Sequence, residues 1–177
     1  NWPNRLSLMR IGSVPVLTLL LILDNVMWAR YAALFLFIAA SITDFVDGHI
    51  ARKYNLVTNF GKFIDPVADK LLVLSAFVML ASMGRMPAWA AVVMLARELA
   101  VDGLRLIAVE QGKVIAAGPL GKIKTVSQIV CILWLMLSGF VSLPEVISRV
   151  LVLWSVFITL WSGIFYFLRS KQYLKGA

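Results

Sequence analysis

Long apolar runs broken by short polar clusters define the chain. The first run is Leu-rich, from about residue 11 to 23, behind a segment, NWPNRLSLMR, that mixes Trp2 and Leu8 with Arg5 and Arg10. That mixture suits a short amphipathic helix lying at a membrane interface. Asp24 and Asn25 interrupt the pattern, 31–42 resumes it, and apolar runs follow over 65–82, 88–109, 126–141 and 146–168. Between them lie the polar stretch HIARKYNLVTNF (49–60), a break at Gly84 and Pro87, the glycine-punctuated segment GKVIAAGPLGKIK (112–124), which reads as a loop, and a turn at Leu143 and Pro144. Segments that are apolar all round carry little periodicity, so the helical reading rests on length and on the need to satisfy backbone polar groups internally in lipid. The expected fold is all-α: one polytopic membrane domain over 1–177, with six transmembrane helices and a short N-terminal interfacial helix.

Composition agrees. The chain is 61% hydrophobic and 15% charged over 177 residues, with mean hydropathy +0.89, too apolar for a water-soluble domain of that size. The net charge of +8 could suggest nucleic acid, but the basic residues are dispersed among apolar runs rather than gathered on one soluble face, so no nucleic-acid partner is expected. Alternate sides of the six runs divide them unequally. One side holds Arg5, Arg10, Arg52, Lys53, Lys113, Lys122, Lys124, Arg169, Lys171 and Lys175; the other holds Arg30, Arg85 and Arg149. The positive-inside rule then places both termini and the 44–61 region on the cytoplasmic side of the cell membrane. Cys131 excludes an intrachain disulfide and reads as a small packing residue. No A-x-A-like site follows the first apolar run, so no cleaved signal is expected.

Within this oily chain, residues 44–69 read DFVDGHIARKYNLVTNFGKFIDPVAD. Asp44 and Asp47 are three apart and Asp65 and Asp69 four apart, spacings that put each pair on one helix face. If the two helices are neighbours, four carboxylates converge, and they would repel one another unless cations neutralise them. Oxygen-only ligation suits Mg²⁺ or Mn²⁺, and two such ions are a template for displacement at phosphorus. Gly48 and Gly61 remove side chains where a diphosphate would approach, and Arg52 can meet phosphate oxygens.

The pattern Asp44-x2-Asp47-Gly48-x2-Ala51-Arg52-x8-Gly61-x3-Asp65-x3-Asp69 resembles, at every position, the signature of the CDP-alcohol phosphotransferase family, whose six-helix fold also matches the expected layout. The resemblance implies transfer of a phosphatidyl group from CDP-diacylglycerol to an alcohol, with release of CMP. It also implies that Asp44, Asp47, Asp65 and Asp69 hold two divalent cations, that Asp69 doubles as general base, and that Gly48, Arg52 and Thr58 contact the CDP part. A homodimer is the assembly the family suggests.

The acceptor is read from the remaining cations. Arg97, Arg105, Lys122 and Lys124 favour an alcohol that itself carries phosphate. Arg97 and Arg105 are two turns apart on one face. Glu98 and Asp102 fall on a neighbouring face as parts of a structural ion-pair network, with Arg105 as partner at the i,i+3 spacing. The segments ARELAVDGLR, AAGPLGKIKT and PNRLSLMR resemble the branch of the family that uses glycerol 3-phosphate. By that resemblance Arg97, Arg105, Lys122 and Lys124 hold the acceptor phosphate, while Asn4 and Arg10 border the nucleotide pocket. Inositol phosphate, or phosphatidylglycerol giving cardiolipin, are the competing acceptors. The rival from another class is a divalent-cation transporter, but that would spread its acids along several helices, and Arg52 would repel a permeating cation.

Overall fold

The computed structural model describes the backbone of residues 2–53, 59–110 and 118–174, and the side chains of residues 7–43, 67–68, 70–109 and 118–170. The described residues form six α-helices and no strand: α1 Trp2–Ile22, α2 Met27–Lys53, α3 Asn59–Ser82, α4 Ala88–Glu110, α5 Pro119–Leu137 and α6 Glu145–Leu174. Among the described residues two stretches are long and apolar enough to cross a membrane, Pro119–Leu137 and Glu145–Ser170, and shorter apolar stretches cover Ser7–Ile22, Met27–Thr43 and Lys70–Ser82.

Helix ends depart from expectation at two places, in the N-terminal segment and at α5. The N-terminal segment is not a separate interfacial helix, because α1 runs unbroken from Trp2. The linking residues RLSLMRI are mostly strong helix formers, so nothing stops the helix there. The polar stretch 49–60 holds helix ends, with α2 continuing to Lys53 and α3 starting at Asn59. Finally, α5 starts seven residues before the expected 126 and stops at Leu137 rather than 141. Pro119 stands at its first helical position, where a missing N–H leaves no bond unmade, and the Gly121 N–H closes the turn on the Gly118 carbonyl at 3.0 Å. Lys122 and Lys124 therefore sit in the opening turns of a helix, not in a loop.

Internal packing divides the chain into two compact units, Asn1–Arg85 with Ile132–Leu143, and Met86–Cys131 with Pro144–Ala177. In the first unit α1 lies against α2 and α3. Leu17, Leu21, Phe37, Leu72, Phe77 and Leu80 fill its core beside the small residues Ala29, Ala33, Ala68 and Ala76, which let helix backbones approach closely. One end of the unit is tied by charge. Arg85 Nη2 donates to Asp24 Oδ2 at 2.7 Å, Arg30 Nε donates to the Asp24 carbonyl at 2.5 Å, and Arg30 Nη1 donates to the Gly139 carbonyl. Gly139 is where a side chain would collide: a Cβ there would lie 2.9 Å from Arg85 Cζ. Just before this clasp Gly84 adopts φ 72°, the left-handed conformation that ends α3.

In the second unit α4 packs on α6. Along α6 hydroxyl residues are buried together with Val152, Val156 and Ile158, while large apolar residues face outward. Ser155, Thr159, Ser162, Tyr166 and Ser170 are buried, whereas Val150, Trp154, Phe157, Trp161, Ile164 and Leu168 are exposed. Apolar groups outward and hydroxyls inward suit a lipid solvent, in which inward polar groups find partners only within the protein.

Candidate active site

All four aspartates of the 44–69 motif fall on helices, Asp44 and Asp47 on α2, Asp65 and Asp69 on α3. A rise of about 1.5 Å per residue puts each pair within one turn or slightly more of its helix. Gly48 and Arg52 follow on α2, and Asn4 lies on α1. The side chains of these residues lie outside the described residues, as does Thr58 altogether. Arg10 is described and is buried on α1, with the Ser13 hydroxyl donating to its carbonyl at 2.6 Å. Among the described residues no group of three His, Cys, Asp or Glu forms a competing metal site.

The four cations expected at the acceptor, Arg97, Arg105, Lys122 and Lys124, lie among the described side chains, and the second unit brings three of them into contact with buried polar groups. Glu98, on α4, is the common anion: Arg97 Nη1 donates to its Oε1 at 3.1 Å, and Lys124 Nζ from α5 donates to the same oxygen. Arg97 is held on two further sides, with Nε donating to the Thr159 carbonyl at 3.2 Å and Nη2 donating to Ser162 Oγ at 2.9 Å. Its stem runs across Gly163, where a Cβ would stand 3.0 Å from Arg97 Cγ. Gln128 on α5 completes the set by donating to Thr159 Oγ1 at 3.0 Å. Two turns along α4, Arg105 Nε donates to the Tyr166 hydroxyl at 3.2 Å, and its guanidinium carbon lies 5.4 Å from that ring's centroid. Lys122 is exposed on α5.

Two expectations change here. Glu98 pairs with Arg97 and Lys124 rather than with Arg105, and Arg105 takes Tyr166 as its partner. The i,i+3 rule describes an isolated helix surface, whereas α4 faces α6, whose Tyr166 meets Arg105 from across the interface. Sequence reasoning also passed over Gln128, Thr159, Ser162 and Tyr166. Their signal was present: Ser155, Thr159, Ser162, Tyr166 and Ser170 recur every three or four residues through an otherwise apolar helix, one polar stripe.

Six helices among the described residues, two of them long and apolar enough to cross a membrane, an aspartate motif on two successive helices and a buried cation cluster define a class. The chain belongs to the CDP-alcohol phosphatidyltransferase family, whose model matches residues 1–161. A Bacillus subtilis (strain 168) protein named CDP-diacylglycerol–glycerol-3-phosphate 3-phosphatidyltransferase is 44% identical over 191 aligned residues, covering 99% of this chain and 97% of its own length. Proteins of the same name from Rickettsia typhi (strain ATCC VR-144 / Wilmington) and Shigella flexneri serotype 5b (strain 8401) are 40% and 36% identical. They cover 98% and 100% of this chain, and 98% and 94% of their own lengths.

Proposed function

We propose that this chain transfers the phosphatidyl group of CDP-diacylglycerol to glycerol 3-phosphate, yielding phosphatidylglycerophosphate and CMP. The observation that carries this reading is similarity along nearly the whole chain, at up to 44% identity, to proteins named for that transfer. The geometry of the second unit supports the choice of a phosphorylated acceptor. Arg97 and Lys124 both meet the carboxylate of Glu98, Arg105 is bound by a neutral hydroxyl, and the four cations Arg97, Arg105, Lys122 and Lys124 outnumber the two acids Glu98 and Asp102 on the same stretch of α4 and α5. A dianionic phosphate would balance that excess; uncharged acceptors would not.

Asp44, Asp47, Asp65 and Asp69 would hold two divalent cations, Mg²⁺ or Mn²⁺, a fit that rests on an all-carboxylate donor set spaced by one helical turn on each of two helices. Bound there, the ions would neutralise the donor's diphosphate. The other roles belong to this chain's own residues. Asn4, Arg10, Gly48, Arg52 and Thr58 surround the CDP part, and Arg97, Arg105, Lys122 and Lys124 supply the positive field for the acceptor. Asp69 takes the proton of the acceptor hydroxyl as its oxygen bonds to the phosphorus carrying diacylglycerol. The bond from that phosphorus to CMP then breaks, and CMP departs with the electron pair. We further propose six spans, with both termini and the 44–69 motif at the cytoplasmic face, and a homodimeric assembly.

The test is CMP release from CDP-diacylglycerol by purified enzyme. Release is expected to require glycerol 3-phosphate and a divalent cation, to stop on chelation, and to be abolished in a folded Asp69→Asn variant. Release supported equally by inositol phosphate or phosphatidylglycerol would overturn the acceptor assignment, and near-normal turnover of Asp69→Asn would overturn the base.

A further inference from the structure

Arg97 and Arg105 look equivalent in sequence, two basic residues eight positions apart on α4, but their surroundings differ. All three nitrogens of the Arg97 guanidinium are engaged, by a backbone carbonyl, a carboxylate and a hydroxyl, and its side chain is only 10% exposed. Arg97 ties α4 to α6 and has little left to offer a ligand. Among the described residues Arg105 uses Nε alone, and its partner is the uncharged Tyr166 hydroxyl.

We infer that Tyr166 is a positioning residue of the acceptor site, orienting Arg105 so that Arg105, rather than Arg97, presents its two terminal nitrogens to the acceptor's phosphate. A guanidinium is planar, so fixing the direction of Nε–H fixes the plane of the fork that grips a phosphate through paired hydrogen bonds. The orienting group must itself be rigid. Tyr166 is buried in one cluster with Val101 and Leu104, both from the turn of α4 that leads into Arg105. Those neighbours hold the ring, and the ring holds the hydroxyl. The ring face beside the guanidinium adds attraction for the cation without consuming any of its N–H groups. Because the phenol accepts from Arg105, its own proton is not used in that bond. Phenylalanine would preserve the packing and the ring contact and lose only the bond to Nε. The inference rests on the proposed role of Arg105 at the acceptor phosphate.

The experiment is an initial-rate series against glycerol 3-phosphate, at saturating CDP-diacylglycerol, for wild type, Tyr166→Phe, Arg105→Lys and the double variant. Losing one charge-assisted bond and the fixed plane should raise KM for glycerol 3-phosphate about fivefold to tenfold in Tyr166→Phe, with kcat within about twofold. The KM for CDP-diacylglycerol should stay at the wild-type value, which a general loosening of the fold would not leave untouched. Arg105→Lys should raise the acceptor KM about tenfold or more, and the double variant should match it, because Tyr166 acts through Arg105. An unchanged acceptor KM in Tyr166→Phe, or effects that multiply in the double variant, would overturn the inference. Should Tyr166→Phe not fold, Arg105→Lys decides alone: an acceptor KM at the wild-type level overturns it. A wild-type enzyme that releases no CMP with glycerol 3-phosphate would instead defeat the reaction on which the inference rests.

Discussion

At the residue scale, Glu98 is the side chain on which most of the second unit's polar structure depends. Its carboxylate is 4% exposed and serves both Arg97 and Lys124, each 10% exposed. Removing one partner of a buried ion pair leaves the other partner's charge desolvated, which costs about 3–5 kcal/mol, whereas an exposed pair contributes about 0–1 kcal/mol. Glu98→Gln should therefore unfold well below wild type in a thermal melt in detergent, while Glu145→Gln, which breaks the exposed Glu145–Arg149 pair, should melt within a degree or two. Equal melting points for the two variants would show that Glu98 carries no such burden. The sequence made this carboxylate legible as an ion-pair member, since a charge at membrane depth requires a partner. It did not reveal which partner. Lys124 is 26 residues away, and only the start of α5 at Pro119 brings it onto a helix facing α4. The aspartate motif was legible for the opposite reason: its pairs are local, and helical spacing alone aligns them.

At the scale of elements, α6, long and apolar enough to cross a membrane, carries a polar face against its neighbours. Its buried stripe supplies acceptors to Arg97, Arg105 and Gln128, and its outward face presents Trp154, Phe157 and Trp161, with adjacent ring centroids about 6 Å apart. Thr159 is the busiest position, accepting from Gln128 at its hydroxyl and from Arg97 and Ser162 at its carbonyl. Thr159→Val keeps the shape but leaves Gln128 Nε2 buried without that acceptor, a loss of about 1–3 kcal/mol. Leu160→Val, one residue away and exposed, should stay within about 0.5 kcal/mol. Chemical or thermal unfolding of both variants under one condition makes the comparison, and a Thr159→Val protein as stable as Leu160→Val would remove the stripe's claim to matter. Reading α6 from sequence gave its existence and its start to within one residue, but the apolar run ends at 168 while the helix continues through Arg169 and Lys171 to Leu174. The inward face escaped notice because serines and threonines hardly lower the hydropathy of a segment so rich in Trp, Phe, Leu and Ile. Helix ends were the least legible feature for a related reason: glycines and lysines near residue 120 look like loop residues, and a proline that opens a helix looks like one that breaks it.

For the molecule as a whole, the proposed orientation in the membrane rests on how basic residues are distributed between the two sides. Arg30 and Arg85 are spent on Asp24 and the Gly139 carbonyl, closing one end of the first unit, and Arg149 pairs with Glu145. These three are the only basic residues assigned to the outer side by the alternation of apolar runs, against ten on the other, an asymmetry that drives retention of the richer side in the cytoplasm. The turns that carry Asn25 and Ser142, both exposed, should then face outward. Cys131 is the one native thiol and is buried, so a Cys131→Ser background permits single-cysteine mapping. In intact cells a membrane-impermeant maleimide is expected to label Asn25→Cys and Ser142→Cys at once, and to reach Lys175→Cys only after permeabilisation. Labelling of Lys175→Cys in intact cells would invert the topology. It would also place the 44–69 motif on the outer face, where CDP-diacylglycerol and glycerol 3-phosphate made in the cytoplasm could not supply it, so one measurement of sidedness bears on the proposed chemistry as well as on the fold.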